Sequence, residues 1–195
     1  MRLFIAIDLS AQEKKKLHKA AKPLRDSDMP VRWVEPEALH LTLKFLGEVR
    51  AERVEGVTEA MTEVAAKAVP CDIKIRGFGA FPTIRRPRVI WAGTEATPEL
   101  RSLKHDLEWE LASLGYDREL RAFQPHITLG RAETGSEAGN FRDLEELMSG
   151  IKYTGKLQVR RVDLMSSRLT PEGAVYETIA SAPVGATEEK RKKAG

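Results

Sequence analysis

Two short stretches carry most of the chemistry open to this chain: His40-Leu41-Thr42-Leu43 and, 86 positions on, His126-Ile127-Thr128-Leu129. Each reads His, aliphatic, Thr, Leu. On an extended strand alternate side chains share a face, so His and Thr point one way and the aliphatic pair the other. A strand that buries its aliphatic side and shows His and Thr has a polar face to place against a ligand. Two such strands could set two imidazoles and two hydroxyls around one small anion. Because His titrates near neutral pH, that is an apparatus for acid–base chemistry on a phosphate. A single motif could equally be a polar strand position; the repetition makes the paired reading the better one.

A chain of 195 residues suits one larger domain or two small lobes sharing a core. Its 42% hydrophobic and 31% charged content is ordinary for a globular protein. No apolar run approaches the roughly 18 residues of a membrane span, and the N-terminal Met1 to Asp8 reads as a first strand and not as a leader. The one cysteine, Cys71, cannot form an intramolecular disulfide and fits a reducing compartment, so the expected location is cytoplasmic, without membrane contact and as a monomer. The formal charge is +3, but residues 188–193 hold two acids and four bases. The body is therefore near neutral, which argues against coating long nucleic acid by charge alone and leaves room for gripping one RNA end.

The elements that must position the motifs follow from periodicity. Leu3 to Leu9 reads as a strand, with Ser10 and Glu13 as a capping box for a helix that ends near Pro23. Val31 to Val34 is a short strand and Leu39 to Gly47 the first motif strand. Ala51 to Lys67 has a helical apolar stripe. Cys71 to Arg76 alternates as a strand with Cys71 on its core side, Pro82 to Pro87 is a basic turn, and Arg88 to Gly93 is another strand. A helix runs from Pro98 to Gly115, the second motif strand from His126 to Arg131, and a short helix from Phe141 to Met148. Leu157 to Leu169 reads as one long strand, turning at Thr170-Pro171-Glu172-Gly173 into a closing strand from Ala174 to Ala182. His18 and His105 fall on helices among charged residues and read as surface positions. From residue 185 to 195 the composition is that of a charged, disordered tail.

This order repeats, with Ala6 and Ala92 also 86 apart. The expected fold is α+β: two pseudo-symmetric lobes of antiparallel sheet with outer helices around a central cleft. Residues 1–182 form one bilobal domain whose repeated halves are roughly 1–87 and 88–182. Metal catalysis fits poorly, since Thr stands where a second ligand His would be needed and no carboxylate has a familiar ligand spacing; no metal and no cofactor is expected. A nucleophile elbow and a glycine-rich phosphate loop are absent from the sequence. Two histidines suit a 2′,3′-cyclic phosphate, which needs one base to activate water and one acid to protonate the departing oxygen, while Thr hydroxyls hold the non-bridging oxygens.

The motifs in context, His40-Leu41-Thr42-Leu43-Lys44-Phe45-Leu46-Gly47-Glu48 and Pro125-His126-Ile127-Thr128-Leu129-Gly130-Arg131, resemble those of the two-histidine phosphoesterases. More narrowly they are similar to the RNA 2′,3′-cyclic phosphodiesterases of bacteria and archaea, also called 2′-5′ RNA ligases. The stretches Arg2 to Ile7, Gly77 to Pro82, Arg88 to Gly93 and Leu169 to Gly173, followed by Tyr176-Glu177, support the resemblance, which covers about residues 1–182. It implies a bilobal fold and metal-free hydrolysis of an RNA 2′,3′-cyclic phosphate end to a 2′-phosphomonoester, with tRNA fragments among the candidate substrates. Carried onto this chain it makes His40 the proton donor to the 3′ oxygen and His126 the base, with Thr42 and Thr128 as phosphate ligands. Arg131 joins them only if a twist or bulge at Gly130 turns it to their face. The same site could join ends in reverse, but water at about 55 M favours hydrolysis unless the ends are held together. Arg85, Arg86 and Arg88 could meet RNA phosphates or form a solvated basic turn. Trp33, Phe45 and Trp91 could stack a base, although strand aromatics are more often core. A catalytically idle RNA-binding module on the same scaffold is the competing reading; loss of a motif His or Thr would have favoured it.

Overall fold

The structure, a computed structural model, describes residues 1–170 and 173–186. The first strand, β1 (Arg2–Asp8), is a run of apolar residues buried from Leu3 to Ile7, as befits a strand with a partner on each side. Helix α1 (Ala11–Ala20) starts where Ser10 accepts the Glu13 N–H at 3.2 Å. Only half of the expected capping box forms, because the Glu13 carboxylate accepts the Tyr153 hydroxyl instead. Pro23 does not end the helical path. It lies in the first turn of α2 (Lys22–Arg25), where a missing N–H leaves no bond unmade.

The chain continues through β2 (Val31–Trp33), β3 (His40–Glu48), α3 (Val54–Lys67), β4 (Cys71–Pro82) and β5 (Pro87–Thr94). It then forms α4 (Pro98–Ser113), β6 (His126–Ala132), α5 (Leu144–Gly150), β7 (Thr154–Val159), β8 (Arg161–Thr170) and β9 (Gly173–Pro183). The long strand expected over 157–169 is thus two. Arg160 and Arg161 are both exposed, which breaks the alternation. The Arg160 guanidinium fixes the bend by donating to the Cys71 carbonyl and the Asp72 carboxylate, each at 2.7 Å. The expected turn at Pro171-Glu172 lies outside the described residues. So does most of the expected tail, although Gly185 N–H donates to the Ala65 carbonyl of α3 at 2.9 Å.

The strands form one sheet in the order β7-β4-β5-β6-β3-β1-β8-β9, with β2 added to β6, and the pairs are antiparallel. Its middle is a seam at which β3 and β6 meet through Leu41 opposite Ile127. On one side lie β3-β1-β8-β9, packed by α3 and α4; on the other lie β6-β5-β4-β7, packed by α1 and α5. The fold is α+β with antiparallel strands and flanking helices. The repeat in sequence is not a division in space. β4, from the first half of the chain, pairs with β5, and β8, from the second half, pairs with β1. Ala6 and Ala92 stand in the strands that precede the two motifs, β1 and β5, and the register differs by one residue: Ala6 lies opposite Thr42 and Ala92 opposite Ile127.

Candidate active site

His40 and His126 are the first residues of β3 and β6. Both rings are held alike: Nδ1 lies 2.8 Å from the Ala38 carbonyl in His40 and 2.7 Å from the Gln124 carbonyl in His126. A carbonyl only accepts, so Nδ1 carries a proton in each ring. The working atom is therefore Nε2, which holds a lone pair in the neutral ring and an N–H in the cation.

Aromatic rings bracket each imidazole. Phe4 and Tyr176 stand 4.9 and 5.1 Å from His40, and Phe81 and Trp91 stand 5.1 and 6.2 Å from His126. Burial among them pushes both histidines below their ordinary value of 6.5, against the opposing pull of the backbone carbonyls. The positive charge of Arg131 pushes both the same way. Asp8, opposite His40 in register and paired with Lys14 at 2.7 Å, acts on His40 in the other direction.

Leu41 opposite Ile127 sets the rest of the site. In that register Thr42 neighbours His126 and His40 neighbours Thr128, with facing Cβ atoms about 5 Å apart. Leu41 and Ile127 are fully buried on the other face. Two histidines and two threonines from distant parts of the chain thus share one face across the seam.

Both motif strands then bulge at the same place. The β1–β3 register passes from Thr42 to Lys44 and skips Leu43; the β5–β6 register passes from Thr128 to Gly130 and skips Leu129. One extra residue reverses the alternation beyond it. Leu43 and Lys44 are both buried, as are Leu129 and Gly130, and the next residues, Phe45 and Arg131, return to the His/Thr face. The bulge that Arg131 required is present. Phe45 is its equivalent in the repeat, 66% exposed and 6.1 Å from the Phe4 ring. Each bulge is backed differently. Lys44 reaches into the core, where its ammonium donates to Glu108 of α4 at 2.6 Å and to the Asp117 carbonyl. Burial pushes Glu108 up, but hydrogen bonds from Lys104 and Lys44 outweigh it and hold the carboxyl below the usual range. At the equivalent Gly130 there is no room for a side chain: a Cβ would stand 2.6 Å from Val31 Cγ1 and 2.7 Å from Trp33 Cε3.

The other singled-out residues divide. Trp33 packs on the core side of β6, whereas Phe45 and Trp91 lie on the His/Thr face. Arg85, Arg86 and Arg88 are exposed, and Arg86 and Arg88 share a hollow of about 980 Å³ with Arg131. His105 is exposed as expected. His18 is half-buried beside Trp33 and Leu129, on the far face of the sheet from the two motif histidines. Cys71 is half-buried at the core edge, and burial pushes its thiol up, away from nucleophilic use. Phe4, Phe81 and Tyr176 were not foreseen as parts of the site. They reach it only through sheet register, although all three stand in the stretches that carry the family resemblance. Among the described residues no three His, Cys, Asp or Glu side chains stand together as a metal site, and no helix is long and apolar enough to cross a membrane.

Comparison with known proteins agrees with this geometry. The family described as LigT-like phosphoesterase matches residues 7–91 and 93–176, one motif in each stretch. An RNA 2′,3′-cyclic phosphodiesterase of Archaeoglobus fulgidus is 35% identical over 179 residues, covering 92% of this chain and 98% of its own. The crystal structure of TT0787 of Thermus thermophilus aligns with a TM-score of 0.79 at 28% identity, covering 95% of this chain and 98% of that one. E. coli LigT complexed with 3′-AMP aligns with a TM-score of 0.71 at 26% identity, covering 94% and 97%.

Proposed function

The chain belongs to the LigT-like phosphoesterase family, and from that premise we propose that it hydrolyses the 2′,3′-cyclic phosphate at an RNA end to a 2′-phosphomonoester. The observation that carries the reading is the identical tethering of the two imidazoles, Nδ1–H to a carbonyl two residues back, on facing strands. It leaves both Nε2 atoms free for proton transfer, one on each side of a bound phosphate.

In the forward reaction His126 Nε2 takes a proton from water as the water oxygen attacks phosphorus. The bond from phosphorus to O3′ breaks, and O3′ takes the proton of the His40 imidazolium. The 2′ ester bond is kept. Thr42, Thr128 and Arg131 hold the non-bridging oxygens as negative charge builds on them. With a ribose 5′-hydroxyl in place of water the same transfers form a 2′-5′ link. The substrate is an RNA end, tRNA fragments included, and the groups that move protons are side chains of this chain alone.

The test is incubation with an oligoribonucleotide ending in a 2′,3′-cyclic phosphate, with and without EDTA. A 2′-phosphate end should form at the same rate in both. Loss of turnover in EDTA, restored by a divalent metal, would show that the proton transfers assigned to the two histidines are not sufficient.

A further inference from the structure

Hydrolysis leaves one part of the site without a use. In an in-line displacement the attacking and leaving oxygens lie on opposite sides of phosphorus. With His40 at the leaving O3′, the nucleoside that carries the cyclic phosphate belongs on the His40 side, where Phe4, Phe45 and Tyr176 offer their rings. The His126 side has only a water to place. Yet beside His126 lies a pocket of about 630 Å³, walled by Phe81, Trp91 and Phe123, with Thr94 in its wall and Arg101 at its rim. That volume is in the range of small-ligand sites.

The wall of this pocket holds unspent hydrogen-bonding capacity. Trp91 Nε1–H and the Thr94 hydroxyl are both buried and without a partner. Buried polar groups are ordinarily satisfied, and two orphans on residues that line one pocket point to a ligand. The Trp91 indole lies flat over Gly79, which leaves no room for a Cβ beneath it, and its ring also meets Phe81 at 5.1 Å. The Arg101 side chain is exposed and is tied through Nε–H to the Ala96 carbonyl at 2.9 Å.

We propose that this pocket is the subsite of a second nucleoside, the one whose 5′-hydroxyl takes the place of water at His126. Its base stacks on the Phe81–Phe123 wall, its carbonyl or sugar oxygens accept from Trp91 Nε1–H and the Thr94 hydroxyl, and Arg101 receives the phosphate on its 3′ side. Stacking of this kind tolerates any base. The reaction balances without another reagent: the 5′-hydroxyl proton goes to His126 Nε2, a bond forms between O5′ and phosphorus, the bond from phosphorus to O3′ breaks, and O3′ takes the His40 proton. No water is consumed. The inference rests on the roles given above to His40 and His126.

Two measurements test it. In the first, a cyclic-phosphate oligoribonucleotide is turned over at rising guanosine concentration, and hydrolysed and 2′-5′-joined products are separated. The joined fraction should saturate, and Phe123→Ala and Arg101→Ala should each raise the half-saturating concentration of the acceptor, guanosine for the first and guanosine 3′-phosphate for the second, by about tenfold or more. Hydrolysis without joining, a linear rise, or half-saturation unchanged in both variants overturns the subsite while leaving the proposed hydrolase intact. The second needs no turnover: guanosine should shift the Trp91 indole N–H resonance of the wild-type protein. An unmoved resonance overturns the proposal, as does one moved by a 2′,3′-cyclic mononucleotide in place of guanosine, since that would put the donor nucleoside in the pocket.

Discussion

At the scale of single residues the two histidines carry a consequence for pH. The active form needs His126 neutral and His40 protonated, so kcat/KM falls when either condition fails. Burial and the Arg131 charge lower both rings from 6.5. As pH rises through the lowered range His40 loses its proton, and as pH falls through it His126 gains one. Both limbs of the kcat/KM profile should therefore lie on the acid side of 6.5, and they belong to the coupled pair. Because Arg131 lowers both, Arg131→Gln should move both limbs to higher pH together, beyond any loss in rate. Limbs that stay in place would show that the guanidinium is not near the imidazoles in solution. The identities of the four motif residues were legible in the sequence because period-two alternation is a local property. Their aromatic surroundings were not, because Phe4 and Tyr176 meet around His40 only after β1, β3, β8 and β9 have paired.

At the scale of elements the paired bulges decide what the site contains. A regular β6 would point Arg131 to the helix side, and a regular β3 would do the same to Phe45. From the sequence a bulge at Gly130 is a condition for Arg131, while nothing points to its counterpart in β3, because an extra residue leaves the apolar pattern almost unchanged; only the registers opposite β1 and β5 reveal the skipped Leu43 and Leu129. The same limit hid the break at Arg160, where two adjacent exposed arginines were the one local sign. Gly130 shows how the second bulge is held. A methyl group there would press on Val31 and Trp33 at 2.6 and 2.7 Å, so β2 must shift. Gly130→Ala should lower stability by about 1–3 kcal/mol, the usual range for overpacking, as read from a urea melt. It should also lower the rate under conditions where the protein stays folded, because the neighbouring Arg131 moves with the strand. A variant of wild-type stability and rate would mean that β2 does not pack on the bulge as described.

At the scale of the whole molecule, a repeated sequence has been folded into two half-sheets that each need both halves of the chain. β1 is paired on one side by β3 and on the other by β8; β5 is paired by β6 and by β4. Cutting the chain in the exposed turn after Thr83 would leave the first fragment with β1 and β3 together but β4 without β5 or β7. The second fragment would keep β5 with β6 and β8 with β9, while β8 would lose β1 and β7 would lose β4. The helices follow the same crossing: α1 lies on β7 and α4 on β3, each covering strands from the other half. Each fragment alone would thus expose apolar faces such as Ile73 and Ile75 of β4 or Leu164 of β8, all buried in the whole chain. A two-stranded remnant without its covering helix is marginal in water. Fragments 1–84 and 85–195 should therefore each lack a cooperative unfolding transition by circular dichroism, and mixing them should restore one together with turnover, since the seam that joins His40 to His126 would be rebuilt. A fragment 1–84 that unfolds cooperatively by itself would show that the repeat is an autonomous module, and the crossed pairing of β4 with β5 and of β8 with β1 would then not be what holds the two motif strands in register.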